Sequence, residues 1–184
     1  MPYTMSLHAH GGSRPNHPTG PIGAAAVTMT NKYHHLTTQT TLLTGPPPPT
    51  TQRAHLSAII LALELALTKS QQLRRRTPMD VTIHTDSKYA FGCMTQWWRK
   101  WMRNGFRSAR NREIANRDLV ERALVLEGMV LGAGTVEWVW VPRSRNEVAG
   151  EVVEGLLDRM EDGEEDEDED EGGPIWESWG RGGG

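Results

Sequence analysis

Apolar and polar side chains alternate through residues 135–141 (TVEWVWV), which predicts a strand with one face in a core. Residues 3–10 and 22–30 (IGAAAVTMT) are apolar runs bounded by Gly, Pro and Asn, and predict two strands joined by a loop. Residues 32–43 (KYHHLTTQTTLL), rich in Thr and Leu, predict a third strand and complete a meander. Residues 80–85 (DVTIHT) predict a short buried strand. A different period governs residues 51–69, where Leu56, Ile59, Ile60, Leu63 and Leu67 return every three or four positions and give a helix one apolar face. Thr50 or Thr51 can cap it. The preceding GPPPPT holds the chain extended, because proline fixes φ and lacks an N–H. Residues 87–103 predict a broken helix, 104–115 an irregular basic segment, 116–130 a helix capped by Asn116, and 146–160 a last helix opened by Asn146. This order makes an α/β chain with a mixed sheet.

The periodic pattern stops at residue 161. The run EDGEEDEDEDEGG cannot bury enough apolar surface to offset the entropy of ordering, so a disordered acidic tail is expected over 161–184. It ends in PIWESWGRGGG, which carries Trp176 and Trp179. One domain over residues 1–160 is therefore expected. The tail changes the meaning of the net charge of −3, because it holds 11 of the 23 acidic groups and 1 of the 20 basic ones. The body is left with 19 basic against 12 acidic groups, a surplus of seven positive charges. A basic body with an acidic tail points to a polyanion partner, or to a tail that screens one. The single cysteine, Cys93, excludes an internal disulfide, and an intracellular place, nuclear or cytoplasmic, is expected. The start lacks the charged and apolar runs of a signal peptide. No apolar run approaches the ~20 residues that cross a membrane.

The candidate chemistry lies at strand ends. IHTDSKYAFG reads as a strand that ends in a carboxylate, Asp86, followed by a helix start. LHAHGGSRPN has the same outline, a strand running into glycines that turn, but His10 stands where a carboxylate would be expected. From the residues alone, His10 is open between a replaced catalytic group, a metal ligand and a turn residue. Between 97 and 117, Arg99, Lys100, Arg103, Arg107, Arg110, Arg112 and Arg117 face one acid, Glu113, and Trp97, Trp98, Trp101 and Phe106 are interleaved with them. Cations with flat aromatics suit phosphates and sugar faces. Trp97 and Trp101, four apart, also suit packing of a helix onto the body.

These phrases, in order, resemble the type 1 ribonuclease H family over residues 5–158. TDSKYAFGCMTQWWRKWMRNGF resembles that family's strand-end aspartate, next helix and basic handle, here residues 97–115. TTQRAHLSAIILALE resembles its first helix, usually written T-N-x-R-x-E-L, and NRDLVERAL the helix after the handle. VEWVWVPRSRNEVAGEVVEGL resembles the last strand, loop and helix, and HGGSRPNHPTGPIGAAAV the first hairpin. VPRSRNEVA is closest in style to fungal members. The resemblance implies a mixed five-stranded sheet with helices on both faces and three helices between strands four and five. It also implies cleavage of the RNA strand of RNA–DNA hybrids by carboxylates that hold two Mg²⁺ ions roughly 3.5–4 Å apart.

Four positions carry those carboxylates in the family, and here they read His10, His55, Asp86 and Gly150. The histidine that many members carry before the last helix is missing from PRSRNEVAG. Mg²⁺ is a hard ion that takes oxygen ligands, so Mg²⁺ binding and Mg²⁺-dependent cleavage are expected to be weak or absent. His10, His55 and Asp86 should still converge, and two histidines with a carboxylate suit Zn²⁺, Mn²⁺ or Fe²⁺. The plainer alternative is drift after catalysis lapsed. The family's contact positions for nucleic acid fall on Asn16, Thr50, Thr51, Gln52, Trp97, Arg99, Lys100, Trp101, Arg103, Phe106, Arg107 and Asn116. Hybrid or structured RNA would then be gripped through backbone shape and 2′-OH groups. Three readings stand: a pseudoenzyme that binds hybrid without cutting it, a protein-interaction scaffold that docks a partner through its acidic, tryptophan-bearing tail, and a nuclease with transition-metal dependence.

Overall fold

A computed structural model describes residues 1–30, 34–73 and 77–163. The expected acidic tail falls mainly on residues 164–184, outside the described residues. Strands β1 (Tyr3–Arg14), β2 (Ile22–Thr30) and β3 (Leu36–Leu43) form the meander. Helix α1 (Thr51–Gln72) leads to β4 (Met79–Thr85). A continuous helical run follows: α2 (Lys88–Gly92), one π-helical turn (Cys93–Trp97) and α3 (Trp98–Arg103). Then come α4 (Arg117–Leu131), β5 (Gly134–Trp140), a 3₁₀ turn (Arg143–Arg145) and α5 (Glu147–Asp162). The sheet order is β3-β2-β1-β4-β5, with β1 parallel to β4, β4 parallel to β5, and the meander antiparallel.

Helices cover both faces, as the pattern in β2 requires. Ala25 and Val27 join the larger core with Leu56, Ile59 and Leu63 of α1 and Val81 and Ile83 of β4. Ile22, Ala24 and Ala26 face the other way, onto Val153, Leu156 and Leu157 of α5. A strand buried on both faces reads as a continuous apolar run. Its alanines let both helices approach.

Several expectations are corrected in detail. β1 continues four residues past His10, and Gly11 and Gly12 pair with Ala25 and Ala24 instead of turning. Gly11 is required by proximity: a Cβ there would lie 2.1 Å from the Ala54 carbonyl carbon and 2.3 Å from the His55 nitrogen. β3 begins at Leu36, later than expected, and α5 runs two residues beyond 160. Thr50 caps α1 as expected, its hydroxyl accepting from the Arg53 N–H at 3.2 Å. Asn116 and Asn146 precede their helices but neither side chain caps one. Asn116 adopts a left-handed backbone (φ 58°) and turns its carboxamide inward. Its Oδ1 accepts from Arg53 Nη1 at 3.4 Å and its Nδ2 donates to the Tyr89 hydroxyl at 3.1 Å. Among the described residues, no helix is long and apolar enough to cross a membrane.

Candidate functional site

The middle of β1, the end of β4, the first two turns of α1 and the start of α5 meet at one point. β1 and β4 are parallel neighbours, so His10 and Asp86 emerge side by side, and His10 Nδ1 lies 2.9 Å from Asp86 Oδ1. His55, in the first turns of α1, sets its ring edge-on to that of His10, with centroids 4.8 Å apart. One ligand-type atom from each of His10, His55 and Asp86 lies within 4.8 Å of the others. The three expected positions thus converge, and all three side chains are nearly buried.

The fourth position explains what fills the centre. Gly150 lies in the first turn of α5 and presents no side chain. A Cβ there would sit 3.1–3.2 Å from the guanidinium of Arg143. Arg143, from the 3₁₀ turn, has folded back into the space that a carboxylate at position 150 would claim. Its Nη1 lies against the His10 ring, touching Nε2 and 3.0 Å from Nδ1, and is 3.5 Å from Asp86 Oδ2, while Nη2 lies 3.6 Å from Glu154 Oε1. Asn146 completes the frame. Its Nδ2 donates to the Ala9 carbonyl at 3.0 Å and to Asp86 Oδ1 at 2.9 Å, which ties the start of α5 to β1 and the end of β4.

The carboxylate of Asp86 accepts from His10 Nδ1, and the Arg143 guanidinium lies over the same ring. His55 Nδ1 accepts the Gly11 N–H at 3.3 Å, so its proton sits on Nε2. Burial pushes His55 down to about 4, helped by the charges of His10 and Arg143 and opposed by Asp86. Burial alone would raise Asp86, but hydrogen bonds from His10 and Asn146 outweigh it and hold the carboxyl well below the usual carboxylate range. Asp86 is therefore an anion with an internal cation beside it.

The donor set does not fit Mg²⁺. It offers one carboxylate and two imidazoles, the carboxylate is already hydrogen-bonded, and a guanidinium carries the positive charge. It fits Zn²⁺ or Mn²⁺ little better as arranged. The Arg143 guanidinium covers the His10 ring, and the Nδ1 lone pair of His55 faces the Gly11 N–H.

The other expected contact residues line a wider surface. Thr51 and Ser13 share a hydrogen bond of 3.0 Å at the rim of the centre. Asn16, Thr50 and Gln52 are exposed nearby in sequence. Arg99, Lys100, Arg103 and Arg107 are exposed on the handle. Trp97 and Trp101 stack with Tyr89 in a tilted series, with centroids 5.8 Å apart between the two tryptophans. Trp97 also covers Gly92, where a Cβ would strike the indole at 2.6 Å. Trp101 and Phe106 pack against the main core, and Arg117 lies over the Phe106 ring at 5.3 Å. The aromatics therefore anchor the handle, while its exposed cations face outward. Asn116 is a strut between α1 and α2. Arg143, Asn146 and Glu154 were missed from sequence. The available signal was a glycine in the first turn of the last helix, preceded by an arginine-bearing loop.

The sequence matches the family described as RNase H over residues 2–152. It is 33% identical over 159 residues to a ribonuclease H of Mycolicibacterium gilvum, covering 86% of this chain and 93% of that one. It is 36% identical over 107 residues to a ribonuclease H of Rhodospirillum rubrum, spanning 58% of this chain and only 57% of the relative. Among solved structures, LC11-RNase H1 in complex with RNA/DNA hybrid superposes with a TM-score of 0.61 at 18% identity, over 85% of this chain and 98% of that one. The N-terminal RNase H domain of a Mycobacterium tuberculosis protein gives 0.60 at 17% identity, over 88% and 98%. A foamy viral protease-reverse transcriptase, also in complex with RNA/DNA hybrid, gives 0.64 at 16% identity, over 83% of this chain and 20% of the viral one. The named cellular relatives are bacterial, so the fungal likeness of the last loop gains no support from them.

Proposed function

The chain belongs to the ribonuclease H family, and on that premise we propose that it binds RNA–DNA hybrid or structured RNA and does not cut it with Mg²⁺. One observation carries the reading: the Arg143 guanidinium lies over Gly150 against His10 and Asp86, where the family's arrangement requires carboxylates that hold cations. Four carboxylates need divalent ions to offset their charge. Here the single strand-end carboxylate already has a cation from its own chain. A divalent ion entering the centre would meet that cation, two imidazoles and one carboxylate, and would give up its water shell for too few oxygens. The same geometry argues against a Zn²⁺- or Mn²⁺-dependent nuclease, because the Arg143 guanidinium covers the His10 ring and the His55 acceptor nitrogen is engaged by Gly11.

Binding is supported by what the chain keeps. The exposed Arg99, Lys100, Arg103 and Arg107 stand on a handle fixed by Trp97, Trp101 and Phe106, and Thr51 and Ser13 present hydroxyls at the rim. These groups suit phosphates and 2′-OH groups without reading base sequence. The test is fluorescence anisotropy of a short labelled hybrid against the full chain at several salt concentrations with Mg²⁺ present. The reading expects binding that weakens steeply with salt and RNA that stays intact in the recovered complex. Absence of binding at low salt would refute it and favour the scaffold.

A further inference from the structure

A groove of about 570 Å³ lies between the π-turn and α3 on one side and α4 on the other, with β5 as its floor. Met94, Trp98, Met102, Leu124, Leu131 and Trp138 line it. Met102 and Leu131 are 59% and 50% exposed, and neighbouring Val125 is 60% exposed. Nothing among the described residues covers these side chains, and a contiguous apolar surface of this kind marks a docking site. Its polar features also select an occupant. The Glu127 carboxylate accepts the Trp138 indole N–H at 2.6 Å and places one acid on the groove wall, beside the more numerous cations of the handle. Arg99 lies over the Trp98 ring at 5.2 Å, and Arg103, Lys100 and Arg107 follow on the same handle.

The chain itself carries a segment of matching chemistry. Residues 164–184 hold nine acidic groups and one basic group, and they present Ile175, Trp176 and Trp179 within five positions. α5 ends at Asp162, so the 13 residues 164–176 lead from Gly163 to Trp176. Extended, they reach about 43 Å at ~3.3 Å per residue. A body of this size has a radius of gyration of about 15 Å and is therefore ~40 Å across, a length comparable to that of the extended segment. Tethering makes the contact intramolecular, and its population depends on how well the linker length matches the span.

We propose that residues 164–184 dock on this groove, with Trp176 and Trp179 against Trp98, Met102 and Leu131 and the acidic run along the handle arginines. Docked in this way, the segment occupies the cations that nucleic acid would use, and the protein regulates its own binding surface. The docking stands on the groove and the charges alone. The competition rests on the function proposed above.

The experiment uses the full chain with Glu177→Cys carrying a nitroxide. Cys93 is fully buried and its thiol is pushed up to about 11 by burial, so the introduced cysteine alone takes the label. The expected result is loss of the Trp98 and Trp138 indole N–H signals with the β3 amide signals intact. Leu131→Asp, and separately Met102→Asp, should restore the indole signals without shifting the β3 amides. No loss, uniform loss, or loss that appears in mixtures of labelled and isotope-enriched chains would overturn docking in cis. A second arm measures hybrid affinity of the full chain against Trp176→Ala/Trp179→Ala. The variant should bind about fivefold more tightly, and equal affinity would overturn the competition. Docking with no hybrid binding by either protein would refute the proposed function and leave the docking intact.

Discussion

His55 gives the folded protein a pH dependence that can be worked out in advance. The ring is 8% exposed, its Nδ1 accepts the Gly11 N–H, and burial lowers it from 6.5 to about 4. Unfolded, His55 binds a proton below about 6.5, whereas folded it resists one until about 4. Between those values the unfolded chain binds more protons, so stability falls as pH falls. The contribution is fully present above 6.5 and is lost on descending to about 4. A shift of about 2.5 units corresponds to about 3 kcal/mol. His55→Gln removes the titration and keeps a neutral polar side chain. Urea unfolding of both proteins at neutral pH and at several points down to about pH 4 isolates the effect, because acid-sensitive groups common to both, His8 and His84 among them, cancel in the difference. The variant should gain about 3 kcal/mol on the parent over that window, whatever its offset at neutral pH. A difference that stays constant within about 0.5 kcal/mol would refute the assigned burial and hydrogen bonding of His55.

Gly11→Ala places a Cβ against the backbone of α1 at 2.1–2.4 Å, so thermal unfolding should show a loss of at least about 3 kcal/mol. Asp118→Asn weakens the paired contacts to Arg53 at 2.6 and 3.0 Å, and denaturant unfolding should report about 1 kcal/mol, limited by the exposure of Asp118. Arg99→Ala should lower the slope of log binding constant against log salt for hybrid by about one, with little change in stability. The combined variant His10→Asp, His55→Glu, Gly150→Asp and Arg143→Ala restores four carboxylates and removes the cation. It should acquire Mg²⁺ binding by calorimetry, and failure to bind any Mg²⁺ would contradict the reason given for the loss.

Much of the fold was legible because burial imposes period. The apolar stripe of α1 and the continuous apolar run of β2 are consequences of one packed helix face and one doubly covered strand. The missed features come from tertiary contact, which leaves no local period. Gly11 and Gly12 look like a turn in sequence, yet Gly11 is there because α1 crosses within touching distance of β1. Asn116 and Asn146 look like caps from their positions, yet their carboxamides are spent on Tyr89 and Arg53, and on Ala9 and Asp86. The centre follows the same rule. His10, His55, Asp86 and Gly150 could be located by register with family phrases, because the strands and helices that carry them are local features. Arg143 could not, because PRSRNEVAG by itself does not say that the arginine folds back over the glycine seven residues on. That contact changes the meaning of the three replacements. On the proposed reading they leave a centre neutralised from within by Arg143.

The most direct measurement of that claim is single-turnover treatment of a 5′-labelled RNA–DNA hybrid by the full chain and by Asp86→Asn, in Mg²⁺ and in Mn²⁺, with the hybrid shown to be bound in each case. The account predicts that the RNA strand stays whole in both ions and that the two proteins are indistinguishable. Cleavage that depends on Mg²⁺ and disappears with Asp86→Asn would contradict it.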